Sequence, residues 1–188
     1  MIALVTGGAG FIGSHLVEEL VRRKYKVIVL DNLSTGSLKN LKSVKNKIKF
    51  IKSNFFKKKK LKKIFKGVDY IFHLAGLSQG SDSIKKPKVY YKNNVTGTIN
   101  ILNSIRNLKI KKFIYSASAS CYGNSKAIPT SEKAKIQMLT PYAFTKWKSE
   151  QIIMHHSYKY KLPAISLRLF NVYGTRSKVS GVYSAVIS

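Results

Sequence analysis

A tyrosine and a lysine four residues apart are the side chains in this sequence best suited to acid-base chemistry. Tyr142 and Lys146 follow Pro141, and residues with this spacing lie on one face of a helix. A nearby ammonium favours the phenolate and lowers a phenol pKa that is otherwise near ~10. Ser118, which follows an apolar segment, offers a hydroxyl to the same substrate oxygen. The three side chains predict proton exchange with an alcohol or a ketone.

This spacing is common by chance, and it gains meaning from a glycine-rich turn near the amino terminus. Residues 2–6 form an apolar run typical of a buried parallel strand. The pattern Gly8-x-Gly10-x-x-Gly13 follows and leads into a segment with helical apolar spacing. Strand, glycine turn and helix are the context of the dinucleotide fingerprint, in which the helix N-terminus faces a pyrophosphate. Ser, Tyr and Lys beside a dinucleotide predict a hydride-transfer site.

An acidic residue lies where this fingerprint requires one. Asp31 ends a second apolar run, residues 26–31, and it comes 18 residues after Gly13. A carboxylate there accepts hydrogen bonds from the adenosine ribose hydroxyls and repels a 2′-phosphate. The alternative is that Asp31 only caps the turn that follows it. Taken with the glycine turn, Asp31 predicts a site for NAD in preference to NADP.

The elements that must position these residues alternate between strand and helix along the chain. Such βα units predict an α/β Rossmann fold, a doubly wound parallel sheet with helices on both faces and ligands at the carboxyl ends of the strands. The expected strands are residues 2–6, 26–31, 47–52, 68–76, 112–117 and 164–170, and the longest expected helices start near Pro87 and Pro141 and run to residues 108 and 160.

Composition excludes several classes of protein. Hydrophobic residues make up 44% of the chain, and no apolar run approaches the ~18 residues of a membrane span. Met1 leads directly into the first strand, without the pattern of a signal peptide. The single cysteine, Cys121, cannot form an internal disulfide, and no histidine has a metal-ligand partner at useful spacing. We expect a cytoplasmic protein with no membrane segment and no metal.

The formal charge of +28 raises the question of a nucleic-acid partner, because such a field attracts phosphates. The lysines, however, are spread along the whole chain and do not form one patch. The densest run, residues 57–63, overlaps Leu61, Ile64 and Phe65 at helical spacing, which is typical of a solvated helix face. The pattern therefore argues against nucleic acid as a partner.

Taken in order, the motifs resemble the extended short-chain dehydrogenase/reductase family, in particular nucleotide-sugar epimerases of the UDP-glucose 4-epimerase type. The resemblance extends over essentially the whole chain. The segments that carry it are residues 6–15, 31–36, 73–77, 83–87, 94–98, 118–123, 142–146 and 167–174.

The resemblance implies an NAD-dependent isomerase that oxidises the sugar C4 hydroxyl transiently and then returns the hydride to the other face. It implies Ser118, Tyr142 and Lys146 as catalytic residues, and Ser118 and Asn171 as contacts of a nucleotide sugar that we expect to be UDP-linked. The cofactor residues that it implies are Gly7, Gly10, Phe11, Ile12, Gly13, Asp31, Asn32, Asn54, Leu74, Ala75, Asn94 and Lys146.

One departure from the family pattern concerns a single position, and the residues after Ser118 narrow the reaction. Asn54 replaces the usual aspartate beside the adenine, and its amide oxygen can still accept a hydrogen bond, so we expect weaker adenine binding. Ala119 and Ser120 occupy the positions where the dehydratases and decarboxylases of the family carry acids. Without those acids, epimerisation or simple 4-keto reduction remains.

The second departure is length, because family members continue into a small domain that closes over the sugar nucleotide. We expect an NAD-binding domain over residues 1–175 and the truncated start of the substrate-binding region over 176–188, with the carboxyl-terminal substrate domain missing. An NAD-binding module without turnover is therefore an alternative function. The resemblance also implies a homodimer through helices at residues 89–108 and 142–160.

Overall fold

The computed structural model describes residues 1–126 and 128–177, without the side chains of Lys58 and Lys59, and places six parallel strands in one sheet. The strand order is β3-β2-β1-β4-β5-β6, which reverses direction between β1 and β4. This confirms the predicted doubly wound sheet. The strands are β1 (Ile2–Thr6), β2 (Lys26–Asp31), β3 (Ile48–Lys52), β4 (Tyr70–His73), β5 (Lys112–Ser118) and β6 (Ala164–Leu169).

The helices cover both faces of this sheet. On one face Leu61, Phe65 and Ile101 are fully buried, and on the other Val17 and Leu41 are buried. Two separate apolar clusters are expected when a parallel sheet is covered on both sides. The helices are α1 (Phe11–Arg22), α2 (Lys58–Phe65), α3 (Gly80–Lys85), α4 (Pro87–Tyr90), α5 (Gly97–Ile105) and α6 (Pro141–Tyr160), with 3-10 segments at Leu38–Lys47 and Ala119–Tyr122.

The helix that the sequence predicts after Pro87 differs in two respects from the one observed. It is interrupted between α4 and α5 by a π-helical turn, Tyr91–Thr96, and it ends at Ile105. The short helix α3, which precedes it, was not predicted. A π turn interrupts the regular i→i+4 hydrogen bonds of the helix, so some backbone carbonyls there lack their usual donor. The hydroxyls of Thr98 and Ser149 donate to one such carbonyl, that of Asn94.

The lysine-rich helix α2 is amphipathic, as its spacing predicted. Leu61 and Phe65 are fully buried against the sheet, whereas Lys60, Lys62 and Lys63 are exposed. The chain leaves the helix through Gly67, whose φ of +78° lies in the left-handed region that favours glycine. In the described part of the chain, these lysines therefore form a solvated helix face.

The segment that follows β6 returns to the amino-terminal helix. His15 Nε2 lies 3.0 Å from the carbonyl oxygen of Thr175, and Arg176 donates to Glu18 at 2.8 Å. Most of the substrate-binding region expected over 176–188 lies outside the described residues. Within the described ranges no helix is long and apolar enough to cross a membrane.

Candidate active site

The candidate site lies at the carboxyl edge of the sheet, on either side of the point where the strand order reverses. Loops that follow β1 and β4 meet there, which is where open α/β sheets bind their ligands. The contact is close: a Cβ atom on Gly7, which has φ of +69°, would lie 2.8 Å from backbone atoms of Ala75. Only glycine fits at this position.

The glycine loop presents an open helix start. Helix α1 begins at Phe11 with Gly10 as its N-cap, so no side chain caps the helix and no acidic residue lies in its first turn. The first N–H groups of such a helix have no intrahelical acceptor. A Cβ atom on Gly13 would lie 2.2 Å from the Gly7 carbonyl oxygen, so the loop can pack this tightly only with glycine there. The arrangement fits a pyrophosphate.

The Asp31 carboxylate accepts hydrogen bonds from the glycine loop and from the turn that follows it. Its Oδ2 accepts a hydrogen bond from the Ala9 N–H at 3.0 Å, within the glycine loop. Its Oδ1 accepts from the Leu33 N–H at 2.7 Å, which is the turn-capping alternative. The carboxylate is only 6% exposed. Because a carboxylate has about four acceptor sites, these two bonds leave capacity for ribose hydroxyls.

The other predicted adenine-side residues stabilise local turns. The amide oxygen of Asn32 accepts from the Ser34 N–H at 3.0 Å, and that of Asn54 accepts from the Phe56 N–H at 3.1 Å. Both residues are exposed, and an amide oxygen can accept a second hydrogen bond. Their contact with a cofactor stays a prediction.

A cavity of about 390 Å³ opens beside the start of α1. Phe11 and Ile12, both predicted cofactor residues, line it together with His15. The opposite wall comes from the segment after β6, residues 172–175. The chain that follows β6 therefore reaches the edge of the sheet where the cofactor is expected.

Ser118 and Tyr142 are brought together at the end of β5. Burial raises the pKa of Tyr142, and the nearby Ser118 hydroxyl is the group that opposes the rise. Ser118 Oγ also accepts from the Ser120 N–H at 3.2 Å, which fixes the turn after the strand. The phenol is thus protonated at neutral pH in this structure. The two residues can hydrogen-bond a common substrate oxygen.

Lys146 is almost completely buried. Its Nζ donates to the Ser116 carbonyl oxygen and lies 4.5 Å from the centroid of the Tyr115 ring. Burial lowers the pKa of Lys146 to about 7, and the charge of Glu150 acts in the opposite direction. The dominant influence on the pKa of the Tyr142 phenol here is its own burial, and a lowering of that pKa by Lys146 with a bound nicotinamide stays a prediction.

The loop after β4, which the resemblance assigns to the nicotinamide half, is held at two points. The Ala75 N–H donates to Thr6 Oγ1 at 3.2 Å. The Asn94 amide accepts from the Leu77 N–H at 2.8 Å and donates to the Leu77 carbonyl oxygen at 3.1 Å. The Asn94 amide also donates to the hydroxyl of Thr145, which lies on α6, at 3.0 Å. The Asn94 side chain therefore links the loop to α6.

The predicted substrate residue Asn171 lies two residues beyond the end of β6 and is exposed. This position is at the same carboxyl edge of the sheet as Ser118, which ends β5. Strands β5 and β6 are paired up to Ser118 and Leu169. The role of Asn171 in binding a nucleotide sugar stays a prediction.

Sequence reasoning missed several residues that position α6. Buried Ser83 accepts from the Tyr142 N–H at 3.0 Å, a contact between residues 59 positions apart. Arg168 donates to Glu150 at 2.6 Å and to the Tyr122 hydroxyl at 2.7 Å, which ties β6 to α6 and to the turn after Ser118. The four-residue spacing of Glu150 from Lys146 was a signal that could have pointed to this group.

Comparison with known proteins matches nearly the whole chain to one protein family. The model of the family described as NAD dependent epimerase/dehydratase family matches residues 3–188. The chain is 38% identical over 179 residues to UDP-glucose 4-epimerase of Lactobacillus helveticus, and 38% identical over 182 residues to that of Haemophilus influenzae. These alignments cover 94% and 93% of this chain but only 53% and 54% of the relatives. The chain spans about half the length of the curated relatives it matches.

Solved structures give the same result. UDP-glucose 4-epimerase of Thermotoga maritima, determined with UDP-glucose, superposes with a TM-score of 0.91 at 36% identity, covering 96% of this chain and 59% of that one. A dTDP-glucose 4,6-dehydratase of Streptomyces venezuelae, determined with NAD, superposes with a TM-score of 0.93 at 29% identity, covering 98% and 60%. The fold is therefore shared by epimerases and dehydratases.

Proposed function

The chain belongs to the NAD dependent epimerase/dehydratase family, and on this premise we propose that it binds NAD and epimerises a UDP-linked hexose at C4. The observation that carries the proposal is the position of Ser118 beside Tyr142, at the edge of the sheet that also carries the glycine loop and Asp31. A base, a hydrogen-bond donor and a dinucleotide cradle at one edge are what reversible oxidation of a carbinol requires.

In this proposal the glycine loop and Asp31 hold the adenosine and pyrophosphate half of NAD. The open start of α1 receives the pyrophosphate through Phe11, Ile12 and Gly13, and Asp31 receives the ribose hydroxyls. Asn32 and Asn54 lie on the adenine side. Leu74, Ala75, Asn94 and Lys146 surround the nicotinamide half.

The reaction uses the phenol of Tyr142 to exchange the proton of the sugar C4 hydroxyl. When bound, NAD would supply a hydride acceptor and donor for the sugar C4 and a positive charge near the phenol. Ser118 hydrogen-bonds the same sugar oxygen and keeps it within reach of Tyr142. Lys146 orients the cofactor-side groups from α6, where its Nζ donates to the Ser116 carbonyl oxygen of β5. Asn171 contacts the nucleotide sugar.

Residue types beside Ser118 favour epimerisation over elimination. Ala119 and Ser120 form the turn after β5, where the dehydratases of this family carry acids that assist removal of a proton from the sugar. Neither residue can transfer such a proton. A nucleotide-sugar 4-keto reductase, which needs no additional acid, is the second candidate reaction.

A second candidate function is an NAD-binding module without turnover. The relatives are about twice as long, and this chain would supply their cofactor half, with residues 1–175 as the NAD-binding domain and 176–188 as the start of the substrate-binding region. The apolar side chains of Phe170 and Tyr173 are exposed, which is consistent with a further covering segment.

We also propose a homodimer through the helices after Pro87 and Pro141. These helices direct Val95 and Leu102 into the core, yet they expose Val89, Phe144 and Met154. Exposed apolar groups on two neighbouring helices suit a self-complementary interface. Sedimentation equilibrium at high concentration should give a dimer, and a strict monomer contradicts this proposal.

Titration with NAD and NADP tests the cofactor. The unmodified chain should bind NAD more tightly than NADP, because the Asp31 carboxylate repels a 2′-phosphate. Asp31→Ala should weaken NAD binding by about 10- to 100-fold, since charged hydrogen bonds are worth about 1.5–3 kcal/mol. It should also reduce the preference for NAD over NADP. Tighter binding of NADP by the unmodified chain contradicts the proposal.

Spectroscopic detection of cofactor reduction tests the chemistry. Incubation with NAD and UDP-glucose should produce transient absorbance of reduced nicotinamide. Tyr142→Phe should abolish this signal and leave NAD affinity within about twofold, because it removes the base and not a cofactor contact. Tyr158→Phe is the matched control, since Tyr158 lies on the same helix and is 80% exposed. NAD binding without any reduction favours the module without turnover.

A further inference from the structure

His73 is buried at the end of β4 and forms a hydrogen bond through each ring nitrogen. Its Nδ1 lies 2.8 Å from Thr6 Oγ1, and its Nε2 lies 2.9 Å from Thr98 Oγ1. The side chain is only 2% exposed, so these two hydroxyls are its polar contacts rather than solvent. The proposed catalytic mechanism does not use His73.

The partners of the two threonines determine which nitrogen carries the proton. Thr98 Oγ1 donates to the Asn94 carbonyl oxygen at 2.6 Å, so toward His73 it can only accept, and Nε2 must carry hydrogen. Thr6 Oγ1 accepts from the Ala75 N–H at 3.2 Å, which leaves its own proton for Nδ1. The hydrogen bonds place a proton on Nε2 and fit a neutral ring whose Nδ1 accepts from the Thr6 hydroxyl.

The surroundings of the ring also favour the neutral form. Burial lowers the pKa of His73 to about 3, with a smaller contribution from the charge of Lys146. Rings of Phe55, Phe113 and Tyr115 lie 5.5–6.0 Å from the imidazole, and none of them offers a carboxylate to an imidazolium. The tautomer is therefore stable across the physiological pH range.

Each nitrogen supports one of the two anchors of the loop that follows β4. The first anchor is Thr6, which holds Ala75, and it is bonded to Nδ1. The second is Asn94, whose amide holds both backbone groups of Leu77. Asn94 is linked to Nε2 through the Thr98 hydroxyl. The His73 imidazole thus hydrogen-bonds, directly or through Thr98, to the residues that hold both ends of the loop 75–77.

We propose that His73 is a positioning residue, which in a single fixed tautomer sets the loop 75–77 between the glycine fingerprint and the catalytic helix. The loop lies against Gly7 on one side. On the other side Asn94 joins it to Thr145, the residue before Lys146. The role of the loop as the nicotinamide wall rests on the proposed function, whereas the tautomer and the two anchors do not.

The tautomer can be measured directly in the unmodified chain. Long-range ¹H–¹⁵N correlation spectra of a ¹⁵N-histidine-labelled sample resolve the four histidines, and His73→Gln identifies the signal of interest. We expect a neutral ring protonated at Nε2, unchanged between about pH 5 and about pH 8. A ring protonated at Nδ1, or one that titrates in that range, overturns the proposal. This readout does not depend on cofactor binding.

Two matched variants on α5 test the positioning role. Thr98→Val removes the hydroxyl that links Nε2 to Asn94 and keeps the side-chain shape. Ser104→Ala removes a similar buried hydroxyl, which donates to the Asn100 carbonyl oxygen four residues earlier at 2.7 Å but has no contact with His73. NAD affinity should fall about five- to tenfold in Thr98→Val and stay within about twofold in Ser104→Ala, given the usual value of such a bond.

The outcomes separate this inference from the proposed function. If Thr98→Val binds NAD as the unmodified chain does, or if both variants lose affinity equally, His73 does not position the loop. If the unmodified chain fails to bind NAD, the proposed function fails. In that case the loss or persistence of the Nε2–H signal of His73 in Thr98→Val still decides whether Thr98 holds the tautomer.

Discussion

Replacing Lys146 by methionine measures what it costs this fold to bury an ammonium beneath the candidate site. Lys146 is 6% exposed, and burial brings its pKa from an ordinary value of 10.5 to about 7. Between these two values the unfolded chain binds more protons than the folded chain. Stability of the unmodified protein therefore rises with pH in that range, and the contribution is absent from Lys146→Met.

The size of the effect follows from the same two values. For one proton, with folded and unfolded pKa values of about 7 and 10.5, raising the pH from about 7 to about 9 increases the free energy of unfolding by about 2 kcal/mol. Below about pH 7 the lysine is charged in both states and the slope disappears. Methionine also leaves the Ser116 carbonyl oxygen without its donor, but that cost does not change with pH.

Urea unfolding at several pH values provides the assay, with the fluorescence of Trp147, the only tryptophan, as the signal. From about pH 7 to about pH 9, the free energy of unfolding of the unmodified chain should rise by about 2 kcal/mol relative to that of Lys146→Met. Lys148→Met makes the same change of charge at a half-buried position of the same helix and serves as the matched control. Parallel curves for the unmodified chain and Lys146→Met would refute the reasoning.

Two further predictions concern residues that hold the site together. Arg168→Met should lower the free energy of unfolding by about 3–5 kcal/mol, because it leaves the buried Glu150 carboxylate unpaired. Arg22→Met, which removes a solvent-exposed ion pair, should lower it much less. Chemical denaturation compares the two, and equal costs would contradict the prediction. Gly13→Ala should abolish NAD binding, measured by calorimetry, since its methyl group would lie 2.2 Å from a carbonyl oxygen of the glycine loop. Gly80→Ala is the control and should bind NAD normally, because its methyl group would contact only Thr140 at 3.9 Å.

Much of the architecture could be predicted because it depends on local patterns. Apolar runs that end in Thr6 and Asp31 form β1 and β2 at the expected residues. Pro141 starts α6 after Thr140, whose hydroxyl accepts from the Ala143 N–H at 3.1 Å, as a cap at that position should. The long helix after Pro87 was less predictable, because its π turn depends on contacts with other elements and not on its own spacing.

The sequence by itself determined the strand-turn-helix at the amino terminus and the placement of Asp31, since both follow from residue types over about 30 consecutive positions. Tertiary structure decided the electrostatics of the candidate site. The pKa of Tyr142 is raised and that of Lys146 is lowered by burial, and burial is produced by segments far apart in the chain. The same holds for His73, whose tautomer is set by Thr6 and Thr98. Spacing along one helix cannot reveal a group that approaches from a distant strand.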